Sequence, residues 1–149
     1  MEKNYLTKNS SQTKKIGELL AKNLLNKGIK KRALVIGLEG DLGGGKTTFL
    51  QGFAKGLGIK EKILSPTFII MRKFKIRDSK FKTFYHFDCY RIEKPKEILK
   101  LGFVKILSGP RNIVAIEWPE KVKKFLPRKI IWVNFQLISK NSRKLIIKE

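Results

Sequence analysis

The segment Gly40-Asp41-Leu42-Gly43-Gly44-Gly45-Lys46-Thr47 constrains this chain more than any other. It satisfies G-x-x-x-x-G-K-[ST], a pattern whose glycines let successive backbone N–H groups curl around a phosphate. Such a loop needs a strand to deliver it and a helix to leave it. Ala33-Leu34-Val35-Ile36-Gly37-Leu38 is a nearly continuous apolar run, as expected of a strand buried on both faces of a parallel sheet. From Lys46 to Leu57 the apolar Phe49, Leu50, Phe53, Ala54 and Leu57 recur at helical spacing, and Gly58 is placed to end that helix. In this order Lys46 reaches the β- and γ-phosphates of a nucleotide, and the Thr47 hydroxyl is a hard oxygen ligand for Mg²⁺. The prediction is an α/β P-loop NTPase with a mostly parallel central sheet flanked by helices and with antiparallel hairpin strands.

The rest of the chain fits around that unit. Ser10 or Ser11 caps a first helix through Ile16, Leu19, Leu20 and Leu24, ending at Lys27-Gly28. Ser65-Pro66-Thr67 is punctuation, after which Phe68 to Ile76 and Phe81 to Tyr90 read as a hairpin. Pro95 starts a short helix ending at Gly102, Asn112 to Trp118 is an apolar strand, and Pro119 to Phe125 is another short helix. Ile130 to Ile138 and Arg143 to Lys148 close the chain as strands.

A length of 149 residues predicts one domain, 1–149, and 42% apolar residues are too many for a disordered segment. With a single cysteine and a single histidine, the chain has neither an internal disulfide nor a Cys/His zinc cluster. The first fifteen residues lack the apolar stretch of a signal peptide, and no run approaches a membrane span, so the expected location is cytoplasmic, with no membrane partner. A formal net charge of +22 attracts polyanions such as RNA. Lysine is spread along the whole sequence, however, which reads as solvated faces with at most weak or indirect affinity for tRNA.

A P-loop needs further carboxylates to hold the metal and position the attacking water. Asp88 closes the run Thr83-Phe84-Tyr85-His86-Phe87, and Glu117 closes Ile113-Val114-Ala115-Ile116. Either emerges at the carboxyl end of a strand, where open α/β sheets bind ligands. The alternative for both is a salt bridge with Arg91 or Lys121. Glu120 lies beyond the strand tip and is expected to stay outside the site. His86, in an alternating strand, reads as structural rather than as a base, and Cys89 as a small buried hydrophobe.

Together, Gly40 to Thr48, Ser65-Pro66-Thr67-Phe68, His86-Phe87-Asp88-x-Tyr90-Arg91 and Ile116-Glu117-Trp118-Pro119-Glu120 resemble the TsaE (YjeE) family. That family comprises small bacterial P-loop ATPases required for threonylcarbamoyladenosine modification of tRNA. The resemblance runs from about Thr13 to Phe135. It implies ATP and Mg²⁺ as cofactors, TsaD and TsaB as protein partners, and hydrolysis that supports turnover of the modifying complex. Carried over by position, Gly43, Gly44, Gly45, Lys46, Thr47 and Thr48 hold phosphates, while Thr47, Glu117 and Asp88 serve the metal. Lys46, Asp88 and Glu117 are then the catalytic set. Thr13 and Arg143 approach the adenine. Thr67 senses the γ-phosphate or simply caps a turn, and Trp118 is either the family's tryptophan near the site or a core aromatic. Gly44 stands where the family usually has alanine.

Other functions compete less well. A small P-loop nucleoside or nucleotide kinase needs an arginine-bearing lid, and no arginine-rich insertion is present. A GTPase needs an Asn-Lys-x-Asp motif, which is also missing. A non-catalytic binding module leaves the pair Asp88 and Glu117 without a purpose.

Overall fold

A computed structural model of the chain describes residues 1–41, 43–64, 70–78 and 80–149. Among the described residues seven strands form one sheet: β1 (Glu2–Thr7), β2 (Leu34–Glu39), β3 (Met71–Lys75), β4 (Thr83–Asp88), β5 (Asn112–Glu117), β6 (Ile131–Leu137) and β7 (Arg143–Lys148). Their order across the sheet is β1-β7-β6-β2-β5-β4-β3. The helices are α1 (Ser10–Asn26), α2 (Lys46–Gly56) and α3 (Phe103–Ser108), with 3₁₀ turns at Pro95–Leu101 and Pro119–Phe125.

The sheet is mixed, a correction to the mostly parallel one expected. β6, β2, β5 and β4 run parallel in the middle, while β3 joins β4, β7 joins β6 and β1 joins β7 in antiparallel fashion. Short connections dictate the antiparallel pairs β3–β4 and β6–β7, because a parallel neighbour needs a crossover of a dozen residues or more. The turn between β6 and β7 is too short for one. The hairpin of β3 and β4 matches expectation from Met71 onward, pairing Met71 with Phe87 and Lys75 with Thr83. Its first residues, Phe68 and Ile69, lie outside the described residues.

Two elements differ from the sequence reading. The first element is a strand, β1, not the helix; its residues are mostly exposed, so a two-residue alternation had no apolar set to mark it. α3 lies beyond Gly102, where the sequence reading ends the helical stretch. Within α1 the buried face is Thr13, Gly17, Leu20, Ala21 and Leu24, whereas Leu19 is exposed.

Side-chain parity sorts the core into two layers. Ile36, Leu38, Phe84, Ile113, Ala115, Val133 and Phe135 pack beneath α1 and α2. Val35, Phe87, Val114, Ile116 and Ile130 pack on the opposite face with Phe103, Ile98 and Val122. β2 is therefore covered on both faces, which is why its sequence is apolar without alternation. α1 and α2 touch almost backbone to backbone: a Cβ on Gly52 would overlap the Lys14 carbonyl, and one on Gly17 the Phe49 carbonyl. That contact fixes the start of α1 beside the start of α2.

Candidate functional site

The loop after β2 and the carboxyl ends of β4 and β5 meet at one rim. β4 and β5 pair in parallel with Asp88 opposite Glu117, and Leu38 of β2 lies opposite Glu117 on the other side. Ala115 and Phe84 face α2, so two-residue alternation puts Glu117, His86 and Asp88 on that same face. α2 opens there.

Gly43 and Gly45 have φ of 77° and 102°, left-handed values that suit glycine and bend the loop into the first turn of α2. Gly45 caps α2 without a side-chain hydrogen bond, leaving first-turn N–H groups open to an anion. Thr47 and Thr48 are half-buried in that turn. Lys46 is buried; its Nζ donates to the Gly40 carbonyl and lies 3.9 Å from the centroid of the Trp118 ring. Desolvation pulls the Lys46 pKa below its ordinary value, against the raising influence of Glu117, Glu120, Asp88 and Asp41.

The carboxylates differ in their surroundings. Glu117 is buried, and its Oε2 accepts from His86 Nε2 at 2.7 Å. Where the sequence suggests Arg91 or Lys121 as a salt-bridge partner, the structure supplies His86. Asp88 Oδ1 accepts from the Tyr90 backbone N–H at 3.1 Å. Burial first, and then the charge of Glu117, push the Asp88 pKa up. Glu120 was expected outside the site, yet it lies close enough to influence Lys46, and burial and Glu39 raise its pKa. Asp41 thus joins Glu117, Asp88 and Glu120 around one lysine, and Glu39, on the other side of Gly40, extends this acidic rim next to Glu120. Their clustering is a product of topology and carries no sequence motif. Cys89 is buried, and burial raises its thiol to about 12, as suits an inert hydrophobe.

Thr13 and Arg143 do come to the loop. A Cβ built on Gly45 would stand 3.7 Å from Thr13 Cγ2 and 3.9 Å from Arg143 Cγ. The Thr13 hydroxyl is engaged with the Thr7 hydroxyl at 2.8 Å, so it is the methyl that meets Gly45. Arg143 Nη2 donates to the Gly43 carbonyl at 3.1 Å, and its Nη1 donates to carbonyls of the β6–β7 turn, including Lys140 at 3.2 Å. It ties the loop to β7. Thr67, with Ser65 and Pro66, lies outside the described residues.

Trp118, by sequence either a tryptophan near the site or a core aromatic, lies against Lys46. Its φ of 57° is the only left-handed value for a non-glycine among the described residues. Tyr90 packs on it, ring centroids 5.2 Å apart. Among the described residues no three His, Cys, Asp or Glu side chains converge to hold a metal unaided. The available donors are all oxygens and few, which suits a small hard cation that keeps water and phosphate ligands.

Comparison with known proteins gives the chain its family. The family model for threonylcarbamoyl adenosine biosynthesis protein TsaE matches residues 7–145. The tRNA threonylcarbamoyladenosine biosynthesis protein TsaE of Rickettsia felis is 40% identical over 136 residues, 91% of this chain and 73% of that protein. Its counterpart in Bacillus subtilis is 34% identical, covering 95% of this chain and 82% of that one. The crystal structure of Bacillus subtilis YdiB superposes with a TM-score of 0.74 at 28% identity, covering 99% of this chain and 84% of that chain. The matched span takes in the loop, both strand-tip carboxylates and Trp118, and on that ground the chain belongs to the TsaE family.

Proposed function

We propose that residues 1–149 form one P-loop ATPase domain that binds ATP and Mg²⁺ and serves threonylcarbamoyladenosine modification of tRNA in the cytoplasm, in association with TsaD and TsaB. The observation that carries this reading is the buried Lys46 at the mouth of a glycine loop that opens α2, with Asp88 and Glu117 on adjacent strand tips. No helix among the described residues is long and apolar enough to cross a membrane.

The residues fit the proposed ligands. The uncapped first turn of α2 offers N–H groups to phosphate oxygens, and Lys46 adds the cation. Thr47 and Glu117, with Asp88 beside them, would hold Mg²⁺, which supplies charge neutralisation on the β- and γ-phosphates. Lys46 must exchange the Gly40 carbonyl and the Trp118 ring for phosphate oxygens. Asp88, its pKa raised and one oxygen tied to Tyr90, is suited to accept a proton from the attacking water through the other oxygen. The acidic rim also sets an electrostatic condition: five carboxylates repel a bare triphosphate, so nucleotide is expected to enter together with its cation.

The test is steady-state ATP hydrolysis by the chain alone and with TsaD, TsaB and tRNA, alongside multi-turnover tRNA modification. Partner-stimulated hydrolysis supports the reading. Full-rate hydrolysis by the isolated chain would remove the dependence on partners, and efficient transfer of phosphate to a nucleoside would favour the kinase alternative.

A further inference from the structure

We propose that His86 is a positioning residue for Glu117: its Nε2–H holds one carboxylate oxygen, leaving the other as the ligand for the cation. The inference rests on the reading of Glu117 as a metal ligand.

Topology brings the two side chains together. β4 and β5 are neighbours in parallel register, His86 opposite Ala115 and Asp88 opposite Glu117, so His86 stands two residues deeper than Glu117 on the same face. It meets the carboxylate from the core side. The His86 side chain is 0% exposed and that of Glu117 5%, with 2.7 Å between Nε2 and Oε2. Among the described residues Glu117 makes no other side-chain hydrogen bond.

The tautomer follows from the surroundings. His86 Nδ1 is buried and, among the described residues, has no hydrogen-bond partner. A proton there would be a buried donor with no acceptor among the described residues, whereas a proton on Nε2 meets the carboxylate. The ring therefore carries its proton on Nε2 and fixes the Glu117 rotamer before any cation arrives. A lysine or arginine at this position would hold the carboxylate as well, but would bring a full positive charge into competition with Mg²⁺. An imidazole N–H orients without that competition, and outer partners of this kind typically contribute about 10–100-fold to metal affinity.

One feature of the composition makes the test clean: the chain has a single histidine. Imidazole ¹H–¹⁵N spectra of the labelled wild-type protein without metal are expected to show the proton on Nε2 and a bare Nδ1; a proton on Nδ1 would overturn the assignment. Mn²⁺ affinity is then measured by electron paramagnetic resonance with a non-hydrolysable ATP analogue, for wild type, His86→Leu, His86→Gln and Glu117→Gln. His86→Leu keeps the apolar bulk and loses the donor, so Mn²⁺ binding should weaken roughly 10-fold or more. His86→Gln, whose amide donates, should recover most of it. For His86→Leu and His86→Gln, affinity for the analogue in chelator should stay within about twofold of wild type, as the phosphate-facing groups of the loop do not include His86. If Glu117→Gln loses Mn²⁺ affinity and His86→Leu does not, or if His86→Gln recovers nothing, the positioning role is wrong and the metal assignment stands. If neither His86→Leu nor Glu117→Gln is weakened, the metal assignment falls and this inference falls with it.

Discussion

Lys46 Nζ stands 3.9 Å from the centroid of the Trp118 ring. Trp118 reaches that position only by adopting φ 57° at the turn between β5 and the following 3₁₀ segment, a conformation that costs a non-glycine residue on the order of 1 kcal/mol or more. The cation–π contact returns about 0.5–2 kcal/mol in a desolvated site. In the nucleotide-free chain the lysine is thus held between a π face and the Gly40 carbonyl, in a place where burial penalises its charge.

If phosphates draw Lys46 off the ring, Trp118 emission should respond. Trp132, the second tryptophan, packs against Gly37 within β2 and supplies background. Fluorescence of Trp132→Phe should change on adding Mg²⁺ and ADP, while Trp118→Phe should show no comparable change. An unresponsive Trp132→Phe protein would mean that the cation stays on the ring with nucleotide bound.

Lys46→Met should separate stability from function. The wild-type lysine has a depressed pKa in the fold, so its stabilising contribution is present only above the unfolded value near 10.5 and is lost as pH falls through the folded one. At neutral pH the buried charge is therefore a net cost that methionine removes. Thermal midpoint at pH 7 should hold or rise, while nucleotide affinity falls roughly 10- to 100-fold through loss of a charged hydrogen-bond donor. A lower midpoint with unchanged nucleotide affinity would contradict both halves.

Asp88→Asn turns on the opposite sign of shift. The Asp88 pKa lies above its ordinary 3.8 because of burial and Glu117. The native state then binds more protons than the unfolded chain between those values, so stability is full below about 3.8 and declines as pH rises through the folded pKa. Asparagine keeps an acceptor for the Tyr90 N–H and does not titrate. The variant should be more stable than wild type at pH 7, converge with it near pH 3, and hydrolyse ATP poorly. Chemical denaturation at the two pH values checks the sign; a gap that widens on acidification would refute it.

The loop and its flanking elements were legible because three signals coincide at Gly40 to Leu57: an apolar run, a glycine cluster and a helical period. Strand-tip carboxylates were legible for a related reason, since Asp88 and Glu117 each end an apolar stretch. What surrounds them was not. Asp41 and Glu120 gather at Lys46, with Glu39 next to Glu120, only because parallel strands deliver their carboxyl ends to one rim, and single-segment patterns do not encode which strands are neighbours. His86 as the partner of Glu117 depends on the register of β4 with β5, for the same reason. β1 was hidden by its position: an edge strand with one buried residue, Thr7, carries almost no hydrophobic alternation. Leu19, placed on the buried face by periodicity, is exposed because glycine and alanine, not leucine, mediate the closest contact between α1 and α2.

That contact gives the last prediction. Gly52→Ala improves intrinsic helix propensity by about 0.8–1 kcal/mol and on that ground alone should stabilise α2. A Cβ at Gly52 nevertheless overlaps the Lys14 carbonyl, and one at Gly56 would lie 2.6 Å from the Glu18 carbonyl oxygen and 2.7 Å from Ala21 Cβ, so the interface has no slack along this face. The obstacle at Gly52 is backbone, which cannot rotate aside as a side chain would. α1 must move, and Thr13, which precedes Lys14, moves away from Gly45 with it. Overpacking of this kind costs about 1–3 kcal/mol or more, a fall in thermal midpoint on the order of 5 °C for a chain of this size. Gly28→Ala is the control, because a Cβ there meets nothing within 4 Å and the residue does not need a left-handed conformation. Its midpoint should hold or rise slightly through loss of unfolded-state entropy. Gly52→Ala should also weaken nucleotide binding although it touches no phosphate. A raised midpoint in Gly52→Ala would show that helix propensity outweighs the contact and that the placement of α1 does not depend on it.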